Sequence, residues 1–505
     1  MSDSDDDPDL KAAIALSLQD QGHPPQQKEV IDLDDSDTPD EALPVQSSEQ
    51  VDMLQTRTSL NSMLGLNRKA MEAERLARKR KAVSISPPPS RAAKVACTST
   101  AITNGSNAGS VVQSRPAPSI KTSSSTISTA PSSVTPAEPR RLEFPHGVVK
   151  KTWAFGHTRT GDDIKIEELF QPDDLNLAVL SSFQWDIAWL FRKINVQKTQ
   201  VVLVMQAKDN ATKSQYRRET ADMPNLRLCF PSMDGQINCM HSKLMLLSYP
   251  THIRIVVPTA NLVSYDWGES GVMENMAFII DLPRLPQLPS PNPDTSSSEP
   301  TFFARELIYF LQAQGLAPNI IQSLHNFDFS ATKHLAFVHT IGGAHTGTAW
   351  QRTGSCGLGR AIQRLHLATD EPLNLDFITS SVGSLNFDFL SAIYLAAQGD
   401  DGTTQMARRV LLQGKSKKEQ RERENAAREQ QLLVETLKRN FRIYFPTHDT
   451  VANSTGGVDC GGTICFQAKW WEAEGFPREV MRDCRSVRRG LLMHNKVLLS
   501  FPFFP

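Results

Sequence analysis

The sequence predicts an α/β protein of two related halves, each a mixed β-sheet flanked by helices, preceded by a disordered tail. Three observations predict it. From about Leu142 onward, apolar runs of strand length alternate with helical stretches. Before that point the composition is of another kind, dominated by acidic, then basic, then Ser/Thr/Ala/Pro-rich segments. And two near-identical triplets, His241-Ser242-Lys243 and His494-Asn495-Lys496, each open a similar apolar run far apart in the chain.

The tail spans residues 1–140. Residues 1–50 hold 14 Asp/Glu against 2 Lys/Arg, a net charge of −12, and residues 61–95 hold 9 Lys/Arg against 2 Glu, a net of +7. Residues 96–140 carry too few apolar side chains to offset the entropy of ordering the chain. The 505 residues leave room for two or three domains, and the tail is followed by two halves, 141–328 and 329–505. The whole chain has a formal net charge of −1, which neither favours nor excludes nucleic acid, because a local basic groove is averaged away. Seven scattered cysteines without a Cys-x-x-Cys pair argue against a disulfide framework or a zinc site. No stretch of about 18 apolar residues is present, so no membrane span or membrane partner is expected.

Within the first half, Phe183, Trp185, Trp189 and Leu190 have helix-like spacing, and Val201–Met205 and Ile253–Val257 read as buried strands. Residues 283–300 are Pro- and Ser-rich and read as a surface loop, after which a helix runs over roughly Phe302–Leu311. In the second half Leu335–His339 and Leu375–Thr379 are strand candidates, and residues 415–439, with charges of both signs four apart, read as a long solvated helix. Trp153 and Trp267 read as core residues.

In a strand, residues i and i+2 share a face, so each triplet is expected to present an imidazole beside an ammonium. Two such pairs brought together suit attack on a phosphodiester. A lone His-x-Lys is ordinary; the second copy makes the pattern specific. Asn261 follows His241 by 20 residues, just past the strand candidate Ile253–Val257. His-x-Lys, a second strand and then Asn resembles the motif of the phospholipase D superfamily in its Asn variant, and the two separated copies resemble the tyrosyl-DNA phosphodiesterase family. Lys150–Gly156, Glu274–Phe278 and Gly461–Phe466 look like the fungal branch of that family, and Thr379–Leu385 resembles its Ser-Ser-x-Gly-Ser-Leu loop. The resemblance covers roughly residues 142–505. In the second copy, the same spacing from His494 reaches position 514, past Pro505, so the second half is expected to be incomplete and its activity is in question.

The resemblance implies two phospholipase D-like halves related by a pseudo-two-fold axis, with one site between them. It implies a monomeric, nuclear DNA-repair hydrolase acting on DNA 3′ ends that carry a covalently attached tyrosine, a peptide or other blocking groups. Carried over residue by residue, His241 is the nucleophile, His494 the general acid and base, and Lys243, Lys496 and Asn261 bind the phosphoryl oxygens. Ser381 and Ser384 contact DNA phosphates, and Lys469 is a candidate DNA contact, whereas Ser-Gly turns are often only turns. Arg482, Arg485, Arg488 and Arg489 either line the DNA path or sit on a solvated face. No clustered carboxylates with metal-ligand spacing stand near either triplet, so neither a metal nor another cofactor is expected.

Three tail motifs fit such an enzyme. Leu10, Ala13, Ile14 and Ser17 share one helical face behind an acidic start, which resembles a ubiquitin-interacting motif. Val30, Ile31 and Leu33 followed by Asp34-Asp35-Ser36-Asp37 resemble a SUMO-interacting motif, which adds a strand to its partner's sheet. Arg68-Lys69 and Arg78-Lys79-Arg80-Lys81 look like a bipartite nuclear localisation signal. Two other functions are open to this sequence: another nuclease or phospholipase of the superfamily, and a non-catalytic adaptor that binds DNA ends.

Overall fold

The computed structural model describes residues 142–207, 209–233, 239–286, 299–413 and 420–502. The three tail motifs and the centre of the 283–300 loop lie outside the described residues.

The strands of the first half come from runs that are apolar on both sides of the pleat. β3 (Leu177–Ser181), β4 (Gln200–Val204) and β5 (Leu226–Cys229) are parallel neighbours, connected by the helices Ile187–Phe191 and Asn210–Glu219. β6 (Leu244–Ser248) lies antiparallel to β3, and β7 (His252–Pro258) antiparallel to β6. With β1 (Val148–Thr152), β2 (Asp163–Ile164) and β9 (Met276–Pro283) they form an eight-stranded sheet in the order β2-β1-β9-β7-β6-β3-β4-β5. Successive residues serve opposite faces. Ala178, Leu180, Val201, Leu203, Met245 and Leu247 join a core with Trp189 and Trp267. Val179, Val202, Val204, Leu244 and Leu246 join a second core with Phe303, Leu307 and Phe310. A sheet covered on both faces needs unbroken apolar strands, which is what these runs provide.

The helix Phe302–Ala313 supplies that second cover, its start capped by Thr301, whose hydroxyl accepts from Ala304 N at 3.2 Å. Leu335–His339, a strand candidate by sequence, does not pair into a sheet; it makes a single bridge, His339 to Thr353. Its apolar residues lie across the second core instead, with Leu335 and Phe337 packed against it. Burial against a helix and sheet face outweighed the β-propensity of the segment. The helix-like spacing from Phe183 is also only partly helical, because Asp186 caps a short helix that begins at Ile187.

The second half repeats part of this plan. β10 (Leu373–Thr379), β11 (Phe441–Tyr444) and β12 (Met481–Arg482) are parallel, and β14 (Lys496–Pro502) lies antiparallel to β10. The order β12-β11-β10-β14 matches β5-β4-β3-β6 of the first half. Among the described residues, the helices Phe387–Gln398 and Gln420–Asn440 cover one face of this sheet, with Leu375, Leu390, Leu437 and Phe441 in the core between them. The charged helix is described over Gln420–Asn440 and is mostly exposed there. A two-stranded sheet links the halves: β13 (Leu492–Met493) runs parallel to β8 (Met273–Glu274), with Leu492 opposite Met273.

Candidate active site

Both triplets stand at the mouths of strands, not inside them as the spacing predicted. His241–Lys243 precede β6, and His494 and Asn495 occupy the gap between β13 and β14, with Lys496 opening β14. For the first triplet the reason is desolvation. Every residue of Leu244–Leu247 is buried between two apolar faces, where a cationic side chain has no partner. One residue earlier, the chain has left the ladder and its side chains reach solvent. The second triplet differs, because His494 and Asn495 are themselves buried ahead of the more exposed β14.

The first triplet is fixed by polar contacts from three directions. Ser181 Oγ donates to Ser242 O at 2.9 Å, Gln314 Nε2 donates to Ser242 Oγ at 2.9 Å, and Met240 N donates to Gln206 Oε1 at 2.9 Å. The His241 ring meets Phe183 edge-on, with centroids 4.5 Å apart. The second triplet is stitched between the halves. Ser380 N donates to Asn495 O at 3.0 Å, and Lys496 Nζ donates to Ser380 Oγ at 2.9 Å. Across the interface, Thr259 Oγ lies 2.8 Å from the side-chain amide of Asn495.

The turn after β7 carries the remaining groups. Asn261 and Asp266 are both fully buried. Asp266 Oδ2 accepts from Asn261 N at 2.7 Å, Trp267 Nε1 donates to Asn261 O at 3.0 Å, and Asn275 Nδ2 donates to Asp266 O at 2.9 Å. Asn261 Oδ1 accepts from Gln184 N at 3.3 Å, which turns its amide nitrogen toward His494 Nδ1, 3.4 Å away. His494 Nδ1 lies 3.0 Å from Asp266 Oδ2. The carboxylate is an acceptor, so Nδ1 carries the proton and Nε2 is left for the cleft.

The electrostatics follow from crowding cations together. Partial burial, with Lys243, Lys496 and His494 nearby, pushes the His241 pKa down to about 4, so the ring is neutral at physiological pH although one edge stays exposed to solvent. Burial lowers Lys243 to about 8, opposed by Asp266. Burial and the charge of Lys243 bring Lys496 to about 8, again opposed by Asp266. Asp266 is thus the anion around which one histidine and two lysines gather.

Of the residues singled out from sequence, His241, Lys243, Asn261, His494 and Lys496 therefore converge. Ser381 and Ser384 are exposed on their loop, and the neighbour in contact with the site is Ser380. Lys469 is exposed, its ammonium 4.5 Å from the centroid of Trp470. Arg488 is held by Glu274, at 2.7 Å, and by Thr152 O. Arg482 folds back onto backbone carbonyls of residues 479 and 481, and Arg485 pairs with Asp483. Trp267 is core, whereas Trp153 is half-buried with Lys165 over its ring. Asp266, Thr259 and Ser380 were not singled out. A carboxylate five residues after Asn261 was the available signal for the first; for the other two nothing local marks them.

Residues 148–502 match the family model described as tyrosyl-DNA phosphodiesterase. The chain belongs to that family. It is an enzyme of the phosphodiesterase class. Among solved structures, the tyrosyl-DNA phosphodiesterase of yeast is similar at 17% identity, over 70% of this chain and 80% of that one, with a TM-score of 0.49. A point mutant of the yeast enzyme gives 17% identity, over 71% and 81%, with a TM-score of 0.49. NucT from Helicobacter pylori matches at 8% identity, over 26% of this chain and 84% of that one, with a TM-score of 0.20. In the tail, residues 5–21 match the model described as ubiquitin interaction motif.

Proposed function

We propose that this member of the tyrosyl-DNA phosphodiesterase family is a DNA-repair enzyme that hydrolyses the 3′-phosphotyrosyl bond left by topoisomerase I, through a phosphohistidine. The observation that carries the reading is the His494–Asp266 contact at 3.0 Å, which leaves the other nitrogen of a fixed imidazole facing the same cleft as a neutral His241.

In the first step the lone pair of His241 attacks phosphorus and the P–O bond to the tyrosine phenol breaks. His494 enters this step as the imidazolium, with Nδ1–H held by Asp266, and passes its Nε2 proton to the departing oxygen, which leaves the ring neutral; a phenol, with a pKa near about 10, needs only modest help. In the second step neutral His494 takes a proton from water, water oxygen bonds to phosphorus, the N–P bond breaks, and DNA leaves with a 3′-phosphate. Lys243 and Lys496 stabilise the non-bridging oxygens, where charge is held through both transition states, while the buried Asn261 amide acts behind them, against the His494 ring. Two lysines supply positive charge of the kind a divalent ion provides in other phosphoryl-transfer sites, and the reaction is expected to run without metal.

The test is tyrosine release from a 3′-phosphotyrosyl oligonucleotide in excess chelator. Turnover by the parent chain, loss in His241→Ala and a trapped DNA adduct in His494→Ala would support the proposal. A preparation that binds the oligonucleotide without turnover would instead make the chain a DNA-end adaptor.

The same reading takes residues 5–21 as a ubiquitin-binding helix, Val30-Ile31-Leu33 as a SUMO-binding strand and Arg78–Lys81 as a nuclear import signal. Pull-down with each modifier, and imaging of a tagged chain with Arg78–Lys81 replaced by alanine, test them one by one.

A further inference from the structure

An apolar cavity of about 780 Å³ opens beside the first triplet. His241, Ser242 and Lys243 are part of its lining, most of the remainder is apolar, with Phe278, Phe303, Phe310 and Phe337 among it, and His339 and Thr340 are polar members. Phe337 stands between two other rings, 5.7 Å from Phe303 and 5.6 Å from Phe310. Among the described residues, Lys243 is the one Lys, Arg, Asp or Glu in its lining. Its walls therefore cannot follow a sugar–phosphate backbone, and they suit a neutral, flat, apolar group.

Two such groups flank the scissile phosphate of the proposed substrate: the tyrosine ring and the base of the 3′-terminal nucleoside. In-line displacement separates them. The leaving oxygen must lie opposite the attacking nitrogen of His241, on the side of His494 that protonates it. The nucleoside, by contrast, stays bonded through phosphate to His241 for the life of the intermediate. The space beside His241 is available to it throughout, whereas in-line geometry sends the departing ring to the opposite side of the phosphorus.

We infer that this cavity receives the base of the 3′-terminal nucleotide, unstacked from its neighbour and packed among the phenylalanines. The inference rests on the proposed reaction. The apolar lining selects any base over none, because every base offers a π-face, and it favours ends that are single-stranded or frayed.

The test uses the full chain and oligonucleotides ending in a 3′-phosphate, with binding followed by fluorescence anisotropy. Removing the terminal base should weaken binding about tenfold or more, while removing the third base from the end should leave it unchanged. In Phe337→Ala, binding of the intact oligonucleotide should fall toward that of the abasic one, so that the difference closes. Equal binding of the intact and terminally abasic strands, an equal loss at both positions, or a difference that persists in Phe337→Ala would each overturn the placement. The abasic comparison needs no variant, so it stands even if Phe337→Ala does not fold. Turnover of the phosphotyrosyl substrate is scored separately: turnover with equal binding removes only the cavity assignment, and neither binding nor turnover removes both readings.

Discussion

Asp266 Oδ2 lies 3.0 Å from His494 Nδ1, although 228 residues separate the two in the chain. The contact crosses from the first half to the second, and it decides which nitrogen of His494 meets a substrate. The same carboxylate opposes the burial-driven fall in the pKa of both lysines. One buried anion thus acts on His494 and on both lysines, whereas His241 is set by its own burial and the surrounding cations.

Asp266→Asn is expected to lower kcat by about 10²- to 10³-fold, the range of a lost general acid–base contribution. Hydrolysis of the intermediate should suffer more than its formation, because a phenol leaves without full protonation. Denaturing gels should then show a covalent protein–DNA adduct accumulating at steady state. A merely structural role would lower the amount of active enzyme and leave no adduct.

The pH dependence has a definite sign. Below about pH 4, His241 gains a proton and loses its lone pair, so kcat/KM falls on the acid side. Above about pH 8, Lys243 and Lys496 lose their charge, so kcat/KM falls on the alkaline side. A bound phosphodiester favours the charged lysines, so the alkaline limb of kcat should lie at higher pH than that of kcat/KM. In Asp266→Asn the alkaline limb of kcat/KM should move below its position in the parent enzyme.

Gly268, two residues after Asp266, has φ +79°, and a Cβ there would lie 1.6 Å from the carbonyl oxygen of Trp153. Gly268→Ala combines a left-handed backbone with that clash. It should destabilise the fold by at least about 2 kcal/mol and displace the Asp266 turn. Chemical denaturation and turnover should both report it, whereas Gly475, at an ordinary backbone angle with nothing within 4 Å, is the control position for activity.

Arg254 and Asp281 form a buried two-bond pair, at 2.7 and 3.0 Å, on the central strands β7 and β9. Removing one partner leaves the other charge buried, so Arg254→Met should cost about 3–5 kcal/mol in denaturant unfolding. The double replacement Arg254→Met with Asp281→Leu should recover only part of that loss, because Asp281 also accepts from Glu143 N and Phe144 N and Arg254 also donates to Leu169 O, and those backbone groups lose their partners.

Much of the site was legible in the chain because its signals are local. His-x-Lys before an apolar run is a three-residue pattern, and its duplication, with Asn261 one strand later, singled out five residues that the fold brings together. The strands Val201–Met205 and Ile253–Val257 were legible because a sheet covered on both faces demands continuous apolar side chains. What escaped was whatever depended on a partner elsewhere. Leu335–His339 has the composition of a strand, yet it lies on the helix Phe302–Ala313 and the sheet face, because that surface offered more apolar contact than a sheet edge. Asp266, Thr259 and Ser380 are single polar residues in turns; the spacing from Asn261 marks the first, and nothing beside the other two reveals what they will touch.

By itself the sequence determined the chemistry available: two imidazoles, two ammoniums and an amide at set distances from strands, because side-chain identity and short-range spacing are properties of the chain. Tertiary structure alone decided their states. Only folding brings Asp266 to His494, crowds Lys496 against Lys243 and sets His241 beside them, and a proton's position depends on neighbours in space, which strand order and burial supply and sequence distance does not.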